Sequence, residues 1–400
     1  MTIVTNKLIM LGNVLLFFYC LSLSITGLKS FDNVIIGCSV LYLFYLYRNK
    51  FLSELLKING SVVKAYMCFL GSIFITSVMI LDFKSIKISL NFLYYTLPFL
   101  IVYLLVKAIH NVKWGIYGYG VGLAVICSYD FYEYIISGKN RLGIMFGHPN
   151  LDASMIEMLL PLCILYIAHL YEKNKYSFVD IFLVVAIILG IISLFLTKSR
   201  GAIIGSVTGL FFTTIIYCYK YYNSKYLPKI LGSVLVVCAV GLFGIYNDNN
   251  GSFSRRYDNE RLLLIESSYR MWNDNKVFGV GLANWKKEYD ENYILPNAKE
   301  PRLTFPHNVY AYYFSTTGLI GGFGFLGFLY LITRYLFKEV NVYQINGMIS
   351  IAVLWILLSI SFHGFVDGGL VLKKCFKLFC GILGMVASLN DINFLKNNDK

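Results

Sequence analysis

Charged residues are scarce in this chain: they make up 14% of its 400 residues, against about 25% in a typical soluble domain. Hydrophobic residues make up 57% of the chain, and 17% of the residues are aromatic. A soluble fold of this length cannot bury that much apolar surface, so the lipid bilayer must act as the solvent. The composition therefore excludes a soluble globular protein and indicates a membrane protein.

Several functional motifs are also missing. The nine cysteines fall within apolar segments and lack the spacing of a zinc site, so we expect neither a metal site nor disulfides. Gly279-Val-Gly281 is not followed by Gly-Lys-Ser/Thr, so no P-loop is present and ATP is not expected; we expect no cofactor at all. The net charge is +13, but the basic residues are spread over short loops, which argues against a nucleic-acid partner.

What the sequence does contain is a series of apolar runs of membrane-spanning length, about twelve in number. They fall near residues 8–26, 33–47, 62–81, 88–106, 114–136, 151–170, 178–196, 201–219, 227–246, 308–332, 346–362 and 371–389. Only helices satisfy their own backbone hydrogen bonds in lipid without a closed barrel. The predicted fold class is therefore all-α: a polytopic membrane helical bundle of about twelve transmembrane helices.

The distribution of lysine and arginine predicts the orientation in the membrane. These residues are more frequent in the short loops on the side of the N-terminus, so both termini are expected in the cytoplasm of a bacterium and the protein in its inner membrane. The longest loop, 247–306, is then extracytoplasmic. Lys373, Lys374 and Lys377 oppose this trend on the outer side, as do Arg141 and Arg200 in short outer turns. An arginine there either pairs with a carboxylate or binds an anion such as phosphate.

The first outer stretch that contains candidate functional residues runs from Arg141 to Asn150. Asn150 is a good N-cap for the span that follows. Asp152 and Glu157 lie within that span, where a carboxylate is either functional or paired with a base such as Arg141. The stretch is thus either a capped start of a helix or part of a binding site.

The second outer stretch is the tight turn Thr197-Lys-Ser-Arg-Gly-Ala202. Gly201 permits either an unusual backbone angle or close packing. An ordinary polar hairpin tip does not need an arginine, whereas Ser199 and Arg200 together suit an oxyanion. We favour a functional role for Arg200.

The third stretch is the long loop, which contains an amphipathic segment at 258–273. Its apolar residues follow a 3,4,3 spacing and comprise Leu262, Ile265, Tyr269 and Trp272. Arg261 lies on the same side, so we predict that it points toward the membrane-packed face of the helix. Arg270 lies four residues after Glu266, which favours a simple surface ion pair over a substrate contact.

His307 lies between Pro306 and Asn308, where the tenth predicted span begins. A lone histidine is more often structural, but an imidazole at the outer surface near arginines can accept a proton. Arginines with one histidine and no metal cluster suit transfer of a group away from a phosphate, because the arginines neutralise the charge of the leaving group.

These residues resemble those of the O-antigen ligase and polymerase family, which comprises the ligases and the Wzy-type membrane glycosyltransferases. The resemblance covers roughly residues 140–330 and rests on five pieces in order. They are Arg141 with Pro149-Asn150, the turn at 197–202, the helix of Arg261, Phe278-Gly-Val-Gly281, and Pro306-His307-Asn308 followed by Gly318-Leu-Ile-Gly321. The chain departs from the family where Val277-Phe278 stands in place of a common proline, and in His148.

The resemblance implies a metal-independent glycosyltransferase of the GT-C type whose donor is a glycan linked to undecaprenyl diphosphate. The acceptor is the lipid A–core in ligases and a second lipid-linked glycan in polymerases. By position, Arg200 and Arg261 would bind the diphosphate and His307 would activate the acceptor hydroxyl, which makes these three the expected catalytic residues. The expected substrate-binding residues are Arg141, Asn150, Ser199, Arg270 and Asn308.

We expect three parts in the chain: N-terminal transmembrane helices at 1–140, a ligase- or polymerase-like core at 141–345, and C-terminal transmembrane helices at 346–400. The preferred function is O-antigen ligase in lipopolysaccharide biosynthesis, and a repeat-unit polymerase is the alternative. A transporter or flippase of lipid-linked sugars is a third possibility, but it would spread its polar groups along several helices, whereas here they cluster at one membrane face.

Overall fold

The computed structural model describes residues 6–25, 27, 29–48, 50–138, 142, 143, 145–221, 255–298, 303–341 and 344–398. These ranges contain helices and turns but no β-strand. The helices are α1 (Asn6–Ser24), α2 (Lys29–Tyr47), α3 (Phe51–Leu55), α4 (Gly60–Met79), α5 (Phe83–Tyr95), α6 (Leu97–Ile109), α7 (Lys113–Ser137), α8 (Pro149–Glu172), α9 (Asp180–Leu196), α10 (Arg200–Tyr221), α11 (Arg255–Asp274), α12 (Trp285–Glu288), α13 (Val309–Glu339), α14 (Ile345–His363) and α15 (Lys373–Asn398). A π-helical turn follows α12 at Tyr289–Tyr293, and a 3₁₀ turn precedes α15 at Gly369–Val371.

The predicted all-α membrane bundle is confirmed. Within the described residues, nine helices are long and apolar enough to cross a membrane, where α5 and α6 together form one span. The predicted span at 178–196 corresponds to α9, a shorter apolar helix, and the predicted span at 114–136 corresponds to α7; neither helix is among the nine. The predicted span at 227–246 lies outside the described residues.

An aromatic cluster holds four of the helices together in the middle of the bundle. The ring of Phe69 on α4 lies within 6.0 Å, centroid to centroid, of five other rings. They belong to Phe92, Tyr313, Phe325, Phe328 and Phe376. Because α4, α5, α13 and α15 each contribute to the cluster, it fixes the positions of these four helices relative to one another.

Helix α13 is interrupted near its start, and the long outer loop fills the interruption. Gly318 has φ +61° and ψ −158°, which breaks the helical hydrogen-bond ladder. The segment 276–281 supplies replacement partners through backbone hydrogen bonds from Val280 N to Ser315 O (3.0 Å), from Gly281 N to Thr316 O (2.8 Å) and from Leu319 N to Lys276 O (2.8 Å). The two glycine motifs, Gly279-Val-Gly281 and Gly318-Leu-Ile-Gly321, therefore form one structural unit although they are distant in sequence.

Replacing Gly318 with alanine should destabilise the fold by on the order of 3 kcal/mol. Its backbone angles are unfavourable for a residue with a side chain, and a Cβ would lie 2.5 Å from the backbone nitrogen of Phe278. Gly71 on α4 is the control, because a Cβ there meets no atom within 4 Å. Thermal unfolding in detergent should show a lowered Tm for Gly318→Ala alone; equal Tm values for both variants would contradict this reading of the interruption.

The amphipathic segment in the long loop is a helix, α11, and its apolar stripe is not the side that packs on the rest of the protein. Leu262 is 64% exposed and Tyr269 is 59% exposed. The buried positions are instead Glu260, Leu264, Ser267, Ser268 and Met271. A periodic apolar stripe shows that a helix is amphipathic, but it does not show which side packs on protein and which side meets lipid or solvent. Arg261 still shares the packed side, since it lies three residues before Leu264 and seven before Ser268.

Candidate functional site

His307 lies in a constrained turn immediately before α13. Its backbone is left-handed, with φ 49°. The ring packs on Phe305 at 4.4 Å between centroids. Asn308 caps α13, because its Oδ1 accepts a hydrogen bond from Ala311 N (2.8 Å) and its Nδ2 donates to the Phe365 carbonyl (2.9 Å). Both ends of the Asn308 amide are thus engaged in holding the turn that presents His307.

A buried carboxylate, Asp367, lies beside the histidine. Its Oδ1 is 3.8 Å from His307 Nδ1 and accepts a hydrogen bond from Gly368 N (2.6 Å). Burial on its own would raise the pKa of Asp367, but the imidazoles of His307 and His363 and the Gly368 amide together hold it well below its usual range. Asp367 is therefore a fixed negative charge, and His307 turns Nδ1 toward it and Nε2 away from it.

Asn150 holds the other oxygen of that carboxylate. Its Nδ2 donates a hydrogen bond to Asp367 Oδ2, and the residue is buried. The predicted N-cap role of Asn150 is wrong: α8 begins at Pro149, and the cap is His148, whose Nδ1 accepts from Asn150 N (3.3 Å). The ring of His148 lies 6.5 Å from that of His307, centroid to centroid. The start of α8 therefore forms a wall of the site.

The turn before α10 packs directly against the same region. Gly201 serves close packing and not an unusual angle, since a Cβ on it would lie 2.6 Å from His363 Cδ2. The left-handed residue of the turn is Lys198, with φ 50°. Ser199 is buried and directly precedes α10, whose first residue is Arg200. Arg200 thus projects from the helix start that rests on the end of α14.

A second histidine lies deeper than the first. His363, the last residue of α14, is fully buried, and its Nδ1 is 2.9 Å from Glu157 Oε1 on α8. The sequence left Glu157 either functional or paired with Arg141 or Lys139, whereas the structure pairs it with His363. Asp152, the other carboxylate of that span, accepts a hydrogen bond from Phe146 N (3.1 Å). The His363–Glu157 pair ties α14 to α8 beneath the site.

Two of the arginines of α11, Arg261 and Arg270, have different surroundings. Arg261 is half-buried, and its charge acts on the imidazole of His363, which places it on the side of the bundle that carries the site. Arg270 is exposed, and its Nη2 lies 2.6 Å from Glu266 Oε1, as the spacing of four residues predicts. The structure thus brings Arg261 toward His363 and leaves Arg270 in a surface ion pair.

Arg141, the remaining candidate, lies outside the described residues. Its neighbour Leu142 donates a backbone hydrogen bond to the Leu196 carbonyl (3.3 Å), which joins the loop before α8 to the turn before α10. Four segments therefore meet at one end of the bundle: residues 142–143 with 145–150, 197–201, 305–308 and 363–368.

Sequence reasoning missed Asp367 and His363, although a signal was present. Both lie at the outer end of an apolar span, four residues apart in Ser-Phe-His-Gly-Phe-Val-Asp, and charged or titratable residues at membrane depth are rarely without a role. The assembled site offers an imidazole 3.8 Å from a buried carboxylate, and the helices that carry Arg200 and Arg261 lie beside it. This set can remove a proton from a hydroxyl and stabilise an anionic leaving group.

Comparison with known protein families gives one match. Residues 185–326 match the family model described as O-antigen ligase, a stretch that includes Arg200, Arg261 and His307 but not Asn150 or Asp367. No curated protein matches the chain. The resemblance is confirmed over this range: residues 185–326 of this multi-pass membrane protein match the O-antigen ligase family model.

Proposed function

We propose that the protein is a glycosyltransferase that moves a glycan from undecaprenyl diphosphate to a sugar hydroxyl, and that it is an O-antigen ligase whose acceptor is the lipid A–core. The observation that carries this proposal is that His307 and Asp367 lie beside each other at one end of the bundle, where the turn that contains Arg200 also packs. The family match to residues 185–326 supports it. The three-part division of the chain at residues 140 and 345 belongs to the same proposal.

The reaction would proceed by direct displacement. The acceptor hydroxyl oxygen forms a bond to the anomeric carbon of the glycan, and His307 Nε2 takes the hydroxyl proton. The bond between that carbon and the diphosphate oxygen breaks, and undecaprenyl diphosphate leaves with the electron pair. Arg200 and Arg261 neutralise the charge on this leaving group, so in this proposal the step needs no metal ion. Asp367 stabilises the imidazolium that forms.

The membrane orientation follows from the same proposal. With the termini in the cytoplasm, His307 and the loop that contains α11 lie on the extracytoplasmic side of the inner membrane. The arrangement of polar groups favours an enzyme over a transporter. Transporters use the backbone groups freed by a broken helix to bind ions or substrate, whereas here the segment 276–281 occupies those at the Gly318 break.

The direct test is a transfer assay with purified protein in detergent. The reaction contains undecaprenyl diphosphate-linked glycan and lipid A–core, with EDTA and without ATP. We expect glycosylated lipid A–core. If wild-type protein transfers no glycan to this acceptor or to a second lipid-linked glycan, the proposed function is wrong.

A deletion strain separates the ligase from the polymerase. Loss of all polymer from the lipid A–core, with lipid-linked polymer accumulating, is the result expected for a ligase. A single repeat unit on the core would identify a polymerase instead.

Replacing Asp367 with asparagine should lower kcat by on the order of 10²-fold and leave KM for both substrates nearly unchanged. The effect should be smaller than in a Ser-His-Asp triad, because the carboxylate lies 3.8 Å from the imidazole. Asparagine keeps the size of the side chain but removes the charge that orients His307. If Asp367 had a purely structural role, the substitution would lower the Tm without changing the kcat of the folded fraction. That result would contradict the positioning role.

A further inference from the structure

Three lysines at the start of α15 have no role in the site described above. Lys373, Lys374 and Lys377 lie on the outer side, against the positive-inside trend. They follow Asp367 closely, through the 3₁₀ turn at Gly369–Val371. Six residues of chain span at most about 20 Å, so Lys373 lies within that distance of the carboxylate beside His307.

The lysines converge on two aromatic rings. Lys377 Nζ lies 4.4 Å from the ring centroid of Tyr94 and 5.6 Å from that of Tyr95, and Lys373 Nζ lies 5.5 Å from that of Tyr95. Lys374 Nζ donates a hydrogen bond to the Ser22 carbonyl at the end of α1 (3.0 Å). Cation–π contacts and a carbonyl hold the ammonium groups in place but leave their positive charge uncompensated.

Carboxylates of the protein compensate little of the positive charge of these three lysines. Among the residues that the structure describes, no carboxylate forms an ion pair with these three lysines, and Asp32 on α2 acts on Lys374 and Lys377 only from a distance. The ammonium groups also repel one another. Lysines in the first turn of a helix are unfavourable because they oppose the helix dipole. An anion bound between them would relieve both costs.

The neighbouring surface is apolar. On α5, Leu90, Leu93 and Tyr94 are all exposed, and the Tyr94 ring is the one that Lys377 contacts. A free phosphate would gain nothing from this surface, whereas the acyl chains of a lipid would lie against it with the phosphate at the lysines. The combination of three cations with an apolar flank therefore fits a lipid that bears a phosphate.

We propose that Lys373, Lys374 and Lys377, with Tyr94 and Tyr95, bind the phosphate group of the acceptor lipid and so hold its sugar within reach of His307. The choice of the acceptor over other phosphate-bearing lipids rests on the proposed function and on the short distance to Asp367. The donor diphosphate occupies the arginines, so the enzyme holds two lipids at two separate cationic sites.

The test compares the triple variant K373Q/K374Q/K377Q with wild type and with the control K84Q/K87Q, which removes two outer lysines of α5. Native mass spectrometry in detergent measures binding of three probes: diphosphorylated lipid A–core, the same glycolipid after phosphatase treatment, and phosphatidylglycerol. We expect the triple variant to lose about tenfold or more in affinity for the phosphorylated glycolipid. Wild type should bind the phosphatase-treated glycolipid and phosphatidylglycerol as weakly as the triple variant does.

Equal affinity of wild type and triple variant for the phosphorylated glycolipid would overturn the proposal. So would wild-type binding of phosphatidylglycerol as tight as that of the glycolipid, because the site would then hold bulk phospholipid. In the transfer assay, the triple variant should raise KM for the acceptor and leave KM for the donor unchanged. If wild type binds the probe as expected but transfers no glycan, the proposed function fails while the lipid site stands.

Discussion

Glycan transfer should fall by about 10²- to 10⁴-fold when His307 is replaced by glutamine. Glutamine has a similar reach and can form hydrogen bonds, but it cannot accept the proton of the acceptor hydroxyl. The turn that holds residue 307 depends on the Asn308 cap and on the backbone hydrogen bond from Val309 N to Gly364 O, and neither involves the imidazole. The variant should therefore fold, and single-turnover transfer by purified protein measures the chemical step.

A second histidine substitution supplies the control. His169 lies on α8, about 30 Å along the helix from Asn150, and so far from the site. His169→Gln should transfer glycan at close to the wild-type rate. The base role of His307 would be refuted if His307→Gln, at equal amounts of folded protein, kept half or more of wild-type activity.

The second large effect concerns Arg261. Replacing it with alanine should lower transfer by about 10²- to 10³-fold, because one of the groups that neutralise the leaving diphosphate is lost. Arg200→Ala should act in the same way. The loss should appear both in kcat and in the affinity for the lipid-linked donor, and donor binding can be measured separately by titration of undecaprenyl diphosphate.

Arg270 provides a matched control on the same helix. It is exposed and paired with Glu266, an interaction worth a few tenths of a kcal/mol. Arg270→Ala should therefore keep transfer within about twofold of wild type, as expected for a surface ion pair of that strength. If Arg261→Ala and Arg270→Ala gave the same activity, the distinction that the structure makes between the two faces of α11 would have no functional meaning.

The helical architecture was predictable because the length of an apolar run and the absence of charge within it are local properties. Because these properties are local, they do not show which side of a helix contacts the other helices. The stripe of Leu262 and Tyr269 predicts that α11 is amphipathic. Apolar residues are favoured both against protein and against lipid, so their spacing alone does not show whether the stripe contacts protein or lipid.

Part of the candidate site was predictable too, because a polar residue at the end of an apolar run is also a local feature of the sequence. Arg200 and His307 stood out as polar residues at the outer ends of apolar runs. Asp367 also lies at the end of such a run, but its place in the site depends on contacts with Asn150 and His307, which are distant in sequence. The hydrogen bonding of segment 276–281 to the break at Gly318 is likewise a tertiary property: the glycines were visible, but their mutual contact was not.

The central claim is that the imidazole and the guanidinium groups act together on the extracytoplasmic side, where the lipid-borne glycan is presented. Lys286 is exposed on α12, which follows α11 in the long loop. Replacing it with cysteine in a Cys38→Ser background tests directly on which side of the membrane this loop lies. The account predicts that a membrane-impermeant maleimide labels Lys286→Cys in spheroplasts with an intact inner membrane, while Lys57→Cys is labelled only after lysis. Labelling of Lys286→Cys only after lysis would contradict it.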